Sequence, residues 1–205
     1  HRRADADPGA PPGATGANEA TFAAAVEALR EGHLLAVFPE GTTHDDTTLR
    51  PLRTGVARIA RQAVAEGVTD VSIVPVGVTY EDKVEVRGRA LVHIGHPVRV
   101  DASGADAPAT VDEEHAAVRA LTDELGSALA KLTPDFAGVE DALGLTAAAR
   151  VLLRSDAGTG VDEPVPLAEV TEVARRLAAT GPETVDRVVS TTARYQMLLD
   201  SVDLD

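Results

Sequence analysis

The sequence predicts an α/β domain, a mixed sheet with flanking helices, followed by a helical C-terminal extension. Short apolar runs at Leu34–Phe38, Val71–Val78 and Ala90–Ile94 are too short for helices and read as strands. A helix-length amphipathic segment precedes each of the first two of these, and helix, strand, helix, strand at this spacing argues for a sheet with right-handed crossovers. After Pro134 the strand-like runs stop and every segment carries a helical pattern. The expected division is therefore residues 1–135 for the domain and 136–205 for the extension. With 205 residues, 44% of them hydrophobic, the chain has the material for a real core.

The elements follow in order. Residues 5–16 are rich in Pro, Gly and Ala and read as a loop. Asn18 is the expected cap of a first helix with Phe22, Val26 and Leu29 on one face, and Gly32 stops it. Leu34–Phe38 is expected as a buried strand. Thr54 is the expected cap of a second helix reaching Glu66, with Val56, Ile59, Ala60 and Val64 inward and Gly67 after it. Val71–Val78, nearly all apolar and β-branched, is expected as a central strand covered on both faces. Ala90–Ile94 and Pro97–Val100 read as a strand and an edge segment. Thr110-Val111-Asp112-Glu113 is a capping box opening a helix with Val118, Leu121, Leu125, Leu129 and Leu132 on one face. Helices are then expected near 139–154, 167–179 and 182–201, with breaks at Gly158–Pro166 and Gly181-Pro182.

Composition narrows the function. The net charge of −14 is spread along the chain, which argues against nucleic acid, whose binding needs phosphate neutralisation, and against broad attachment to anionic lipid. There is no cysteine, so disulfides and thiolate metal sites are excluded. No histidine has a partner at metal-ligand spacing, so no metal and no cofactor are expected. The apolar runs are too short to span a bilayer. On this acidic background two basic clusters stand out, Arg2-Arg3 and the group Arg50, Arg53, Arg58 and Arg61.

The most informative stretch is Val37-Phe38-Pro39-Glu40-Gly41-Thr42-Thr43-His44-Asp45. Pro39 removes a donor and Gly41 permits unusual dihedrals, so the chain turns sharply where the apolar run ends. An acid, hydroxyls and a histidine follow at once. An ordinary solvated turn is the alternative for these residues taken alone.

Phe38-Pro39-Glu40-Gly41 resembles the third block of the PlsC-type glycerolipid acyltransferases, which include glycerol-3-phosphate and 1-acylglycerol-3-phosphate acyltransferases. Leu49-x-Pro51-Leu52-Arg53-Thr54-Gly55 resembles the Pro-Leu-Lys-Thr-Gly continuation, with Arg53 for the lysine. Val74-Pro75-Val76-Gly77-Val78-Thr79-Tyr80-x-x-Lys83 resembles the fourth block. His1-Arg2-Arg3 resembles the tail of the second, Ile-Pro-Val-x-Arg, which implies a phosphate-binding role for Arg2. Thr43-His44-Asp45 resembles the variant of the glycerol-3-phosphate or dihydroxyacetone-phosphate branch. The resemblance implies a glycerol-3-phosphate acyltransferase-like fold. It also implies acyl transfer from acyl-CoA or acyl-carrier protein, as co-substrate, to the hydroxyl of a glycerol phosphate. Phospholipid synthesis at the cytoplasmic side of a membrane, by a peripheral or membrane-associated enzyme, goes with it. A 1-acylglycerol-3-phosphate acceptor, or a non-catalytic lipid-phosphate binder, is the alternative.

The family's catalytic His-x4-Asp block lies upstream of the second block, and the expectation is an N-terminally truncated domain, itself inactive. The His96–Asp101 pair has that spacing but falls on an expected edge strand, where the two residues point to opposite faces. The implied substrate-binding set is Arg2, Glu40, Gly41, Thr42, His44 and Arg53. Arginine's planar fork suits a phosphate, and Gly41 lets backbone N–H groups approach it. Glu40 is expected to orient Arg2 or meet a substrate hydroxyl. His44 reads either as a phosphate donor or as a loop histidine capping the next turn. Arg53 either reaches the phosphate or stands on the first turn of its helix. Arg58 and Arg61 read as a solvated helix face. Lys83, Arg87 and Arg89 face coenzyme A phosphates or form a solvated sheet edge. Pro75 and Gly77 shape the backbone.

Overall fold

The computed structural model describes residues 14–82, 87–100, 110–157 and 164–201. Its elements are α1 (Ala14–Arg30), α2 (Gly55–Ala65), β1 (Ser72–Ile73), β2 (Val76–Tyr80), β3 (Ala90–Ile94) and β4 (Val98–Arg99). Helices α3 (Val111–Ala130), α4 (Val139–Ala157), α5 (Leu167–Ala178) and α6 (Pro182–Ser201) complete it. The result is helix-rich with two small antiparallel sheets, compatible with an acyltransferase domain. Two compact units share the chain. The first takes the chain up to Gly41 with Leu52–Ile73 and Pro97–Asp123, and the second takes Thr42–Pro51, Val74–His96 and Glu124–Asp205.

In the first unit α1 packs on α2. Val26, Ala60, Ala63 and Val71 form its buried centre, with Leu29, Val64 and Ile73 around them. The fully buried positions of α2 are alanines, Ala57, Ala60 and Ala63, which lets the helices approach closely. β1 pairs antiparallel with β4, Ser72 opposite Arg99 and Ile73 opposite Val98. In the second unit β2 pairs antiparallel with β3, from Val76 opposite Ile94 to Tyr80 opposite Ala90. Its helical core joins α4, α5 and α6 through Leu145, Ala149, Val170, Ala174, Val185 and Val189, with Phe136 at the entry.

Several expectations are corrected. Leu34–Phe38 joins no ladder, and Leu34 and Phe38 are 99% and 87% exposed. A run this short is a strand only when another strand supplies its hydrogen bonds, and none among the described residues does. Val71–Val78 is not one central strand. It divides at Val74-Pro75, where the proline has no N–H to donate, and its halves join separate sheets. Both sheets are antiparallel, so among the described residues the expected mixed sheet with crossovers is absent. Val74, Val76 and Val78 are 43–47% exposed rather than covered.

Helix starts also shift. α1 begins at Ala14, placing Asn18 inside it rather than at its cap, because the alanine-rich sequence propagates the helix past the asparagine. Thr54 is already helical in its backbone, with φ −72° and ψ −3°, and its side chain makes no capping bond. The capping box at α3 is present: Thr110 N–H donates to Glu113 and Glu113 N–H donates to the Thr110 hydroxyl. Helices α4, α5 and α6 lie close to their expected places.

Candidate functional site

The turn after Leu34–Phe38 is built by two backbone hydrogen bonds within the first unit. Gly41 N–H donates to Phe38 C=O at 3.1 Å, and Arg53 N–H donates to Pro39 C=O at 2.8 Å. The second bond brings the start of α2 back onto the Pro39 turn. Gly41 has φ +68°, a left-handed conformation in which an L side chain is strained. The Arg53 side chain crosses directly over Gly41. A Cβ added at position 41 would lie 2.7 Å from Arg53 Cδ and 2.8 Å from Arg53 Nε. Glycine thus serves twice here, in adopting the turn and in leaving room for the guanidinium stem. Glu40 is half-buried beside them in sequence.

Thr42 and His44 begin the second unit's share of the loop. Thr42 Oγ1 lies 3.5 Å from Thr43 C=O, a marginal bond. His44, only 13% exposed in its side chain, accepts the Asp46 N–H on Nδ1 at 3.2 Å. That bond places the proton of the neutral ring on Nε2, which is then the nitrogen that donates elsewhere. His44 therefore caps the following turn, and the same bond presents its other nitrogen as a donor. Arg50 Nε holds Asp46 at 2.5 Å. Thr47, not singled out from sequence, pins this loop: its hydroxyl donates to Phe136 C=O at 2.8 Å. No local signal marks Thr47, since its partner is eighty-nine residues away. Arg2, Lys83 and Asp101 lie outside the described residues.

Other cations have different duties from those expected. Arg61 does not stand on a solvated face. Its Nε and NH2 fork onto Glu114 at 2.9 and 2.6 Å, joining α2 to α3. This hydrogen bond is the main cause holding the Glu114 carboxyl below its ordinary range. Arg58 is exposed, as expected of a solvated face, and also lies 5.1 Å over the Phe22 ring, a cation–π contact between α2 and α1. Arg89 neither faces solvent alone nor is left open for a ligand. Its Nε and NH2 each reach Glu81 at 2.6 Å, and NH1 donates to Val165 C=O at 2.8 Å. Arg150 adds a third donor to Glu81 at 2.8 Å. The Arg89 hydrogen bond, followed by the charges of Arg150 and Arg89, lowers the Glu81 pKa. Arg87 occupies a left-handed turn position, φ +70°. Gly77 is required by close approach: a Cβ there would lie 2.8 Å from Leu132 C=O.

The comparisons with known proteins agree with these motifs. A family model described as Acyltransferase matches residues 12–79, the stretch holding both the Pro39 turn and Arg53. Glycerol-3-phosphate O-acyltransferase 2 of Saccharomyces cerevisiae is 32% identical over 164 residues, 78% of this chain and 21% of that protein. Glycerol-3-phosphate O-acyltransferase 1 of the same yeast is 28% identical over 152 residues, 74% of this chain and 19% of that protein. An uncharacterized acyltransferase of Schizosaccharomyces pombe is 32% identical over 73 residues, 35% of this chain and 11% of that protein. No solved structure matches significantly. The class is thus acyltransferase, and within it the chain belongs to the glycerolipid acyltransferase family. It spans about one fifth of the length of the two yeast glycerol-3-phosphate acyltransferases.

Proposed function

We propose that this chain supplies the acceptor-phosphate site of an enzyme that transfers an acyl group to glycerol-3-phosphate or dihydroxyacetone phosphate. The donor is acyl-CoA or acyl-carrier protein, and the enzyme acts in glycerolipid synthesis in association with a membrane. Among the described residues no helix is long and apolar enough to cross one. In the reaction the acceptor hydroxyl attacks the thioester carbonyl carbon, its proton passes to a general base, and the thiolate leaves. The chain's part is to fix the acceptor by its phosphate while that occurs.

The observation that carries this reading is the Arg53 side chain laid across Gly41 on the Pro39 turn. It brings a planar, permanently charged donor to a glycine whose backbone has no side chain to keep an anion away. Thr42 and His44 belong to the proposed substrate-binding set through the motif alone. Arg2 is assigned as a second guanidinium, and Glu40 orients a cation or takes an acceptor hydroxyl. The test is steady-state kinetics of the longer enzyme carrying Arg53→Ala. A charged hydrogen bond contributes about 1.5–3 kcal/mol, so the Michaelis constant for the phosphorylated acceptor should rise about tenfold or more. The constant for the acyl donor should stay within about twofold if binding is unlinked. An equal rise for both substrates would remove the phosphate assignment.

A further inference from the structure

We propose that a cleft in the second unit, between β3, the end of α3 and α5, binds a small amphipathic organic anion. It shares no residue with the Pro39 turn and does not depend on the acyltransferase reading. Its apolar lining comes from Leu91, Leu132 and Ala168, and its cations are Lys131 and Arg175. Lys131 is one of only two lysines in a chain of net charge −14. Among the described residues no carboxylate pairs with its ammonium.

Among the described residues the single acid of the lining is Glu172, which is already paired. Arg175 forks onto it through Nε and NH2, both at 3.0 Å, and Arg176 Nε reaches it at 2.7 Å. Both Arg175 bonds use the same edge of the guanidinium, so NH1 is uncommitted among the described residues. Among the described residues the cleft therefore presents an ammonium with no carboxylate partner and a spare guanidinium edge, with His93 also in the lining. An anionic head meets those donors, and an apolar body meets the leucines.

Size limits the ligand. The volume is about 220 Å³. An apolar cavity of about 150 Å³ accepts benzene, so about eight to ten non-hydrogen atoms fit here. That excludes a whole coenzyme or a long lipid and selects a short-chain carboxylate or an alkyl phosphate. The two share an anionic head on an apolar chain.

The test is titration of the isotope-labelled 205-residue chain with hexanoate, butyl phosphate and hexanol, followed by amide NMR shifts. Saturable shifts at Leu91, Lys131 and Thr171 are expected for one or both anions, and the tighter anion identifies the head group. Hexanol should bind at least about tenfold more weakly, since it lacks the charge-assisted bonds. Lys131→Met should weaken the anion about tenfold or more, and Ala168→Leu, which fills the cleft, should abolish saturation. Lys131 and Ala168 are both exposed, so neither substitution opens the core. Equal binding of hexanol, shifts that never saturate or map elsewhere, or an unchanged affinity in Lys131→Met would each overturn the proposal.

Discussion

Replacing Gly41 with alanine separates two costs that the turn imposes on any side chain. The first is conformational. At φ +68° an L residue loses about 1–2 kcal/mol relative to glycine. The second is steric. The new methyl would lie 2.7 Å from Arg53 Cδ and 2.8 Å from Nε, inside any acceptable contact. Arg53 is exposed and its long stem has several rotatable bonds, so it should yield rather than the backbone. Yielding costs about 0.5–1.5 kcal/mol, the range for an off-rotamer side chain. A chain of this size loses about 2–4 °C of melting temperature per kcal/mol, so Gly41→Ala should melt several degrees lower. The decisive assay is a double-mutant cycle with Arg53→Ala, read by chemical denaturation. Removing the arginine stem abolishes the steric part and leaves the conformational part. Gly41→Ala should then cost about 0.5–1.5 kcal/mol less in the Arg53→Ala background than alone. Gly41→Asn, which tolerates the left-handed region better, should recover part of the conformational cost but not the steric one. A coupling of zero would refute the packing of Arg53 over Gly41 and the phosphate site drawn from it.

Glu81→Gln should destabilise the second unit by about 1–3 kcal/mol in urea denaturation, because Arg89 and Arg150 lose their shared carboxylate. The Glu81 and Glu114 pKa values are lowered on folding, so their stabilisation is present above the unfolded glutamate value of about 4.3. It is lost as pH falls through the lower folded values, and Glu81→Gln should flatten that part of the stability–pH curve. Unchanged acid sensitivity in Glu81→Gln would contradict this. Gly77→Ala should cost about 1–3 kcal/mol, since its methyl would press on the Leu132 carbonyl at 2.8 Å, and a neutral result would contradict that packing.

What could be read from the sequence was local. The capping box at Thr110–Glu113, the helix stops at Gly32 and Gly67, and the turn at Pro39–Gly41 depend on residues a few positions apart, and they appear where expected. The helical character after Pro134 was equally legible, because α4, α5 and α6 each run three turns or more between the breaks at Pro166 and Gly181-Pro182. Sheet partnership was not. Val71–Val78 has the composition of one buried strand, but Pro75 divides it, and no composition signal told which strands pair with its halves. Leu34–Phe38 failed for the same reason, since strand character depends on a partner supplied from elsewhere. At the site, the basic residues in and just before α2 were visible as a cluster, yet three of them do different things. Arg53 covers Gly41, Arg58 stacks on Phe22, and Arg61 grips Glu114. Only Arg53 carries the motif, and only the return of Arg53 N–H to Pro39 C=O shows why its position is fixed.

The most direct test of the phosphate assignment is titration of this chain with glycerol-3-phosphate and, in parallel, glycerol, by calorimetry with amide NMR shifts. Wild type should bind glycerol-3-phosphate with shifts at Glu40, Gly41 and Arg53, and should not bind glycerol. Arg53→Ala should weaken that binding about tenfold or more, and Arg53→Lys, which keeps the charge but loses the fork, should fall between the two. Equal affinity in Arg53→Ala and wild type, or shifts that avoid the Pro39–Arg53 turn, would contradict the account.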